Sequence, residues 1–473
     1  MKHRKFAVRL LLLAALLIGL SPAQALFAQD AGMDTPGEVI AKGLNGPMGI
    51  LVDPNGDVWV VDSGLGGEAT VDGMDFTGQP VTIQYGPTAR IVKISVADGI
   101  MVDAAALTSV NNGTENEGGS RLALLDGVLY ATGAGWHPAV VPAATDAPLS
   151  GTGSLWRVEA DGTVSEVSPL WELERDFNPV SAEVDTHPYG IFAGPDGNLW
   201  IADAGMNALL KVDPATGEAV IAATFDPIPG VFPNPNYGGE MLTDAVPTGV
   251  TIANGTMYIS YLSGAPFIPG SAKVVAVAED GTVSDYATGL TMLTDLRTGP
   301  DGALYAVQFG LFTEQGPVLG SGAVIRVLPG DASEVLISGL MFPTSIDFNA
   351  DGDAFVTVNG LGAPGSGQVV KFAGLTGMAG VPLTEAIEGA ATDTEEASAE
   401  ATPPAEEEPT ATLEPASEEP TPEATPEPAS EEPAPEAMPV TGGDSGQIIM
   451  LIVILAMLAG AFGVILFGRR RLA

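Results

Sequence analysis

The sequence has no cysteine in its 473 residues. That excludes disulfides, thiolate metal sites and thiol nucleophiles, so stability has to come from a large core. Basic residues are scarce as well: 18 Lys and Arg stand against 59 Asp and Glu, a formal net charge of −41. Part of the excess lies in a C-terminal tract, but the rest of the chain is itself strongly negative. Nucleic acid and anionic lipid are poor partners for such a field, whereas cations and neutral ligands are tolerated. Histidine is rarer still, with only His3, His137 and His187. No phosphate loop, dinucleotide fingerprint or Gly-x-Ser-x-Gly elbow occurs, which leaves phosphoryl, hydride and serine-hydrolase chemistry without a motif.

The two ends carry targeting signals. Lys2, His3, Arg4 and Lys5 precede an apolar run at 6–20 and the small residues Ala23-Gln24-Ala25. That order reads as a secretory signal over 1–25, cut after Ala25 or after Ala28. Near the other end, 447–468 is an uncharged apolar stretch long enough to cross a bilayer, and Arg469, Arg470 and Arg471 follow it in a short tail, 469–473. Positive charge stays on the cytoplasmic side, so the bulk of the chain is expected outside, with the membrane as a partner through this helix. Between domain and anchor, 385–446 is rich in Pro, Glu, Ala and Thr and has no Lys or Arg. Lacking apolar periodicity, it is expected to be a disordered, extended stalk. Within it, Met438-Pro439-Val440-Thr441-Gly442 is similar to the Leu-Pro-x-Thr-Gly signal of sortase substrates, with Met in place of Leu. Such a signal implies transfer to the cell wall, and the helix alone implies retention in the membrane.

The middle of the chain repeats. Sixty glycines and 45% hydrophobic residues point to many short strands joined by tight turns. One pattern recurs six times: an apolar strand, a Gly-containing turn, a strand centred on an aromatic, then Gly. Its turns are Asp53-Pro54-Asn55-Gly56, Asp126-Gly127, Pro195-Asp196-Gly197, Asn254-Gly255, Pro300-Asp301-Gly302 and Asp351-Gly352. Asp-Gly and Asn-Gly accept the positive φ that tight hairpins need, so each copy is an antiparallel pair. A third strand follows every copy and a fourth follows most. Four-stranded units at this period predict an all-β, six-bladed β-propeller over 37–384. The last unit lacks a fourth strand and the chain starts with an unpaired one, Glu38-Val39-Ile40-Ala41-Lys42-Gly43-Leu44. Pairing that strand beside Val369-Val370-Lys371-Phe372 would close the ring and leave no open edge.

Link lengths separate two faces. The turns between first and second and between third and fourth strands are short, while 64–88, 135–152, 168–187, 226–247, 263–271 and 310–322 are long. Strand alternation puts all the long links on one face, and function concentrates on long loops over a rigid scaffold. Trp136, His137, His187, Asn207, Tyr237 and Phe267 are the candidate ligand-binding residues there, five of them rings able to stack or hydrogen-bond. Glu117, Asp185, Asp203 and Asp295 are candidate metal ligands, since a ring of carboxylates at strand starts could hold Ca²⁺ or Mg²⁺.

Several segments together carry a resemblance. Asp185-Thr186-His187-Pro188-Tyr189-Gly190, Asp203-Ala204-Gly205-Met206-Asn207-Ala208-Leu209-Leu210, Val246-Pro247-Thr248 and 262–272, with its Pro266-Phe267-Ile268-Pro269-Gly270, resemble the ScyD/ScyE family. Its members are similar to NHL-type propellers. The resemblance implies an exported propeller and no particular reaction, and His187 stands where family members tend to carry Asn. The reading that follows is a surface-anchored propeller that binds an extracellular glycan, peptide or protein. The alternative is a metal-dependent lactonase or lyase with a divalent cation at the central mouth.

Overall fold

The computed structural model describes residues 35–385, apart from 76–78, 114, 143–145, 181–183 and 314–315. The signal, most of the stalk, Met438–Gly442, the apolar stretch at 447–468 and the tail therefore lie outside the described residues. Among the described residues, no helix is long and apolar enough to cross a membrane.

Six antiparallel sheets of four or more strands follow one another along the chain. Blade 1 is Pro47–Val52, Val58–Asp62, Pro80–Ile94 and Met101–Asn111, with the short Asn116–Glu117 at its edge. Blade 2 is Leu122–Leu125, Val128–Thr132, Leu155–Val158 and Val164–Ser168. Blade 3 is Pro188–Ala193, Leu199–Asp203, Ala208–Val212 and Ala219–Thr224. Blade 4 is Pro247–Ala253, Thr256–Tyr261, Ala272–Val277 and Val283–Leu290. Blade 5 is Leu293–Thr298, Leu304–Gln308, Gly322–Val327 and Glu334–Leu340, and blade 6 is Ser345–Phe348, Ala354–Val358 and Gly367–Phe372.

The fourth strand of blade 6 is the N-terminal Glu38–Leu44, paired antiparallel with Val39 opposite Val370 and Ala41 opposite Val369. Each first strand packs against the first strands of its two neighbours, so the contacts run through blades 1 to 6 and return to blade 1. This is a propeller-like fold. Its cores are shared between neighbouring sheets rather than held within one: Ile50, Val58 and Val60 pack with Leu44, Phe355 and Val369 across the closure. Close approach at the centre requires glycine. A Cβ on Gly49, Gly190 or Gly249, one repeat position in three blades, would run into backbone of the next blade at Ser120, Thr248 or Leu296. In the two-residue turns Asp126-Gly127 and Asn254-Gly255, all four residues have positive φ, the condition for a type I′ hairpin.

The aromatic of the second strand also has a structural use in blades 1, 3 and 6. Lys93, Lys211 and Lys371 lie over Trp59, Trp200 and Phe355 at 5.1, 5.1 and 5.8 Å from the ring centres. The same lysines pair with turn carboxylates, Asp57, Asp196 and Asp353, at 2.8, 2.8 and 2.7 Å. These flanks tie each first turn to the third strand.

The long links hold structure of their own. Ala69–Met74 forms an extra hairpin with the extended third strand of blade 1, which begins at Pro80 and not near Arg90 as the sequence pattern suggested. Helix Trp171–Phe177 lies in the link before blade 3, and Ile228–Asn234 pairs with Glu240–Thr243 in the link before blade 4. Nor does the domain's last strand end at Phe372: Val381–Pro382 returns to pair with Glu334 and Val335 at the edge of blade 5.

Candidate ligand site at the mouth

The long link inside blade 2, between Val128–Thr132 and Leu155–Val158, meets the link before blade 3 on the loop-bearing face. Trp136 N–H donates to the Thr186 carbonyl at 2.8 Å, and Thr186 N–H donates back to the Trp136 carbonyl at 3.2 Å. This two-way bridge fixes His137 near Asp185, with Nε2 to Oδ2 at 3.9 Å. Glu117 Oε2 and the His187 ring both lie beside Gly135, 3.3 and 3.4 Å from where its Cβ would stand. His187 Nε2 is 3.3 Å from Ser120 Oγ. Glu117, His137, Asp185 and His187 are thus brought together at the rim, with Trp136 and Glu117 lining a cavity of about 30 Å³. That is room for one or two waters, or one ligand hydroxyl.

Burial sets the protonation of this cluster. It pushes the Glu115 carboxyl well above its usual range, and the adjacent Glu117 charge adds to this. Glu117 is raised too, by burial, against the pull of His137 and the Gly135 N–H. Glu174, on the helix and fully buried, is pushed up to about 9 by burial, which outweighs the N–H it accepts from Asp185 at 3.2 Å. The charges of Asp203 and Asp185 act in the same direction. Burial lowers His187 to about 4 against the attraction of Asp203, so its ring is neutral. Burial thus favours the protonated form of the Glu115 and Glu117 carboxyls and leaves the His187 imidazole neutral, able both to donate and to accept hydrogen bonds.

Asp203 is fully buried and serves as a local hub. Its carboxylate accepts from the Thr186 hydroxyl, from His187 N–H at 2.8 Å and from Met206 N–H at 3.0 Å. Asn207 has positive φ, accepts Val246 N–H at 2.9 Å and donates to Asp244 at 3.2 Å, and Tyr237 donates its hydroxyl to the same carboxylate. The Asp185, Asp203 and Val246 segments that carry the family resemblance thus form one hydrogen-bonded network. Asn207 and Tyr237 belong to its far end, between blades 3 and 4, and not to the His187 cluster.

Two ring candidates are built into the scaffold. Trp136 is 2% exposed and packs edge-on to Trp171 at 5.4 Å. Phe267, also 2% exposed, packs on Phe312 at 5.5 Å within an apolar cluster that includes Tyr189, Val246, Met292, Phe309 and Phe342. Neither offers an open face for stacking. Val246, Met292 and Phe342 all have positive φ immediately before or near a first strand, and this rare backbone turns their side chains into that cluster.

Asp295 stands apart from the other three carboxylates. It is 2% exposed, 3.6 Å from both Arg121 Nε and Arg297 Nε, and accepts from the Ser345 hydroxyl. Burial would raise its pKa, but Arg297 and Arg121 outweigh that and hold it low. Among the described residues, no three of His, Asp and Glu are grouped as metal ligands.

Arg121 escaped sequence reasoning. It is fully buried on the line where the first strands meet, and its guanidinium donates to the carbonyls of Met48, Ser120, Thr294 and Thr344, the last at 2.7 Å. The Tyr189 ring covers it at 4.5 Å, and His187 meets Tyr189 edge-on at 5.4 Å. The His187 cluster therefore sits over a plugged centre, not over an open channel. The one available signal was an arginine directly before the apolar Leu122-Ala123-Leu124-Leu125.

No family model matches the chain, and no curated protein matches it in sequence. Among solved structures it is similar to virginiamycin B lyase from Staphylococcus aureus, at 15% identity over 69% of this chain and 95% of the lyase, TM-score 0.35. The PQQ-bound aldose sugar dehydrogenase from Streptomyces coelicolor is 13% identical over 71% of this chain and 96% of that one, TM-score 0.40. A luciferin-regenerating enzyme is 12% identical over 72% and 95%, TM-score 0.38. At these values the likenesses carry no argument about the site, and the fold rests on the strand pairing itself.

Proposed function

We propose that this chain is an exported, surface-anchored six-bladed propeller of the ScyD/ScyE type whose mouth binds a neutral, hydroxyl-rich ligand, a glycan before a peptide. The observation that carries the reading is the meeting of Glu117, His137, Asp185 and His187, of which Glu117 and His137 line a cavity sized for one hydroxyl. The neutral imidazole of His187 both donates and accepts hydrogen bonds, as a sugar hydroxyl does. A stalk and an anchor at the C-terminal end would display the domain outside the cell. The test is a glycan array probed with the full chain, His187→Ala and Glu117→Gln. Binding of a neutral glycan that weakens more than tenfold in His187→Ala supports the reading; a blank array, or binding indifferent to His187, refutes it. Elemental analysis of the same preparations separates the alternative, because a stoichiometric divalent cation lost in Glu117→Gln would favour the metal-dependent enzyme.

A further inference from the structure

A wide opening lies away from the mouth. Between blades 3 and 4, at the end of the strands that carries the short turns, is a groove of about 770 Å³ walled by Trp200 and Ile252. That volume falls in the range of small-molecule sites. Its origin is visible by comparison within the molecule. In blade 5 the corresponding ring, Tyr305, packs on Phe348 of the next blade at 4.8 Å. The strand pairs Asp347 with Phe355 and Thr251 with Tyr258, which puts Ile252 of blade 4 at the place of Phe348. Isoleucine fills less than phenylalanine, and blade 4 turns through Asn254-Gly255 alone, where blade 6 uses the five residues 349–353. A smaller residue and a shorter turn therefore leave Trp200 half-buried beside open space.

The chemistry of the groove is mixed. Asp196 and Lys211 pair at 2.8 Å, so their charges cancel at the wall. Asp196 also accepts the Trp200 indole N–H at 3.3 Å, which fixes the ring. Glu279 and Ser284 stand exposed on the rim. A fixed indole ring beside a neutralised ion pair and a polar rim suits a ligand with an apolar ring face and hydroxyl edges. The chain's net charge of −41 disfavours an anion here. We infer that this groove is a second ligand site, separate from the mouth, and that it takes a neutral oligosaccharide.

The test titrates the full chain with chitotetraose, cellotetraose and mannotetraose, followed by tryptophan fluorescence and calorimetry. Ser284→Trp and, independently, Thr256→Trp add bulk to the groove from its rim, and unchanged thermal midpoints verify that each folds. At least one tetrasaccharide is expected to bind, with affinity reduced tenfold or more in both variants and unchanged in His187→Ala. The inference is overturned if none of the three binds, if binding survives both substitutions, or if it is lost in His187→Ala instead, which would return the ligand to the mouth.

Discussion

Replacing Arg121 by Met tests whether the centre of the ring is held by one buried cation. Met keeps most of the volume but removes a guanidinium that donates to four carbonyls, contributed by blades 1, 5 and 6 and by Ser120 beside it. It also strips Asp295 of one of its two arginines, in a place where Asp295 is 2% exposed. Removing one partner of a buried pair costs about 3–5 kcal/mol, chiefly because the other charge stays buried. The orphaned carbonyls add to this, though not additively. A loss of about 4 kcal/mol or more is expected in urea unfolding followed by tryptophan fluorescence. Lys273→Met is the control, since its pair with Asp285 is 26% and 56% exposed and is worth under about 1 kcal/mol. The Arg121→Met, Asp295→Asn double variant should recover part of the loss. Because Asp295 is held below its usual pKa, its contribution exists above the unfolded value and fades as pH falls. The gap between wild type and Arg121→Met should therefore narrow toward pH 3. A single variant within about 1 kcal/mol of wild type at pH 7, matching the Lys273 control, would refute the reasoning.

Glu174 is raised to about 9, so the folded state binds its proton while the unfolded state has lost it, and stability falls as pH rises from about 4.5 toward 9. Glu174→Gln removes that slope and should gain up to about 4 kcal/mol relative to wild type at pH 7.5; parallel thermal midpoints across pH 5–9 would count against it. His187 is lowered to about 4, so its ring resonances should stay those of a neutral imidazole at pH 5 in an NMR titration, and a midpoint near the ordinary histidine value would mean the ring is solvated. Ala41→Pro breaks the closing strand opposite Val369, where Leu44 is fully buried. A cost of about 3 kcal/mol and a tendency to associate through the freed edge are expected on size-exclusion chromatography, and unchanged behaviour would show the closure to be dispensable.

The architecture was legible because its signals are local and repeated. Asn254-Gly255 and Asp126-Gly127 announce hairpins on their own, and the unpaired Glu38–Leu44 announces the closure once the last unit is seen to lack a strand. The grouping of Glu117, Asp185 and His187 was also within reach, since all three precede first strands and first strands meet. Burial was not. Trp136 and Phe267 read as exposed loop rings, yet each packs its own loop, because nothing in a loop sequence says which way a ring turns. Asp295 looked like the other candidate carboxylates and was separated from them by Arg297 on its own strand and by Arg121, which comes from another blade.

That last contrast decides which carboxylates can meet a ligand. Burial pushes both Asp295, inside the first strand of blade 5, and Glu117, just ahead of blade 2, toward the protonated form. Two arginines overcome that push at Asp295, which remains a charged strut inside the centre. At Glu117 the opposing groups are the His137 imidazole, the Gly135 N–H and a hydrogen bond with Glu115, and burial outweighs them, so its carboxyl stays raised. A buried charge with fixed partners has nothing left to offer a ligand, whereas a raised carboxyl beside a neutral histidine and a cavity can exchange hydrogen bonds with one. The same residue type therefore has opposite roles in one ring, and the difference lies in where the scarce basic residues stand.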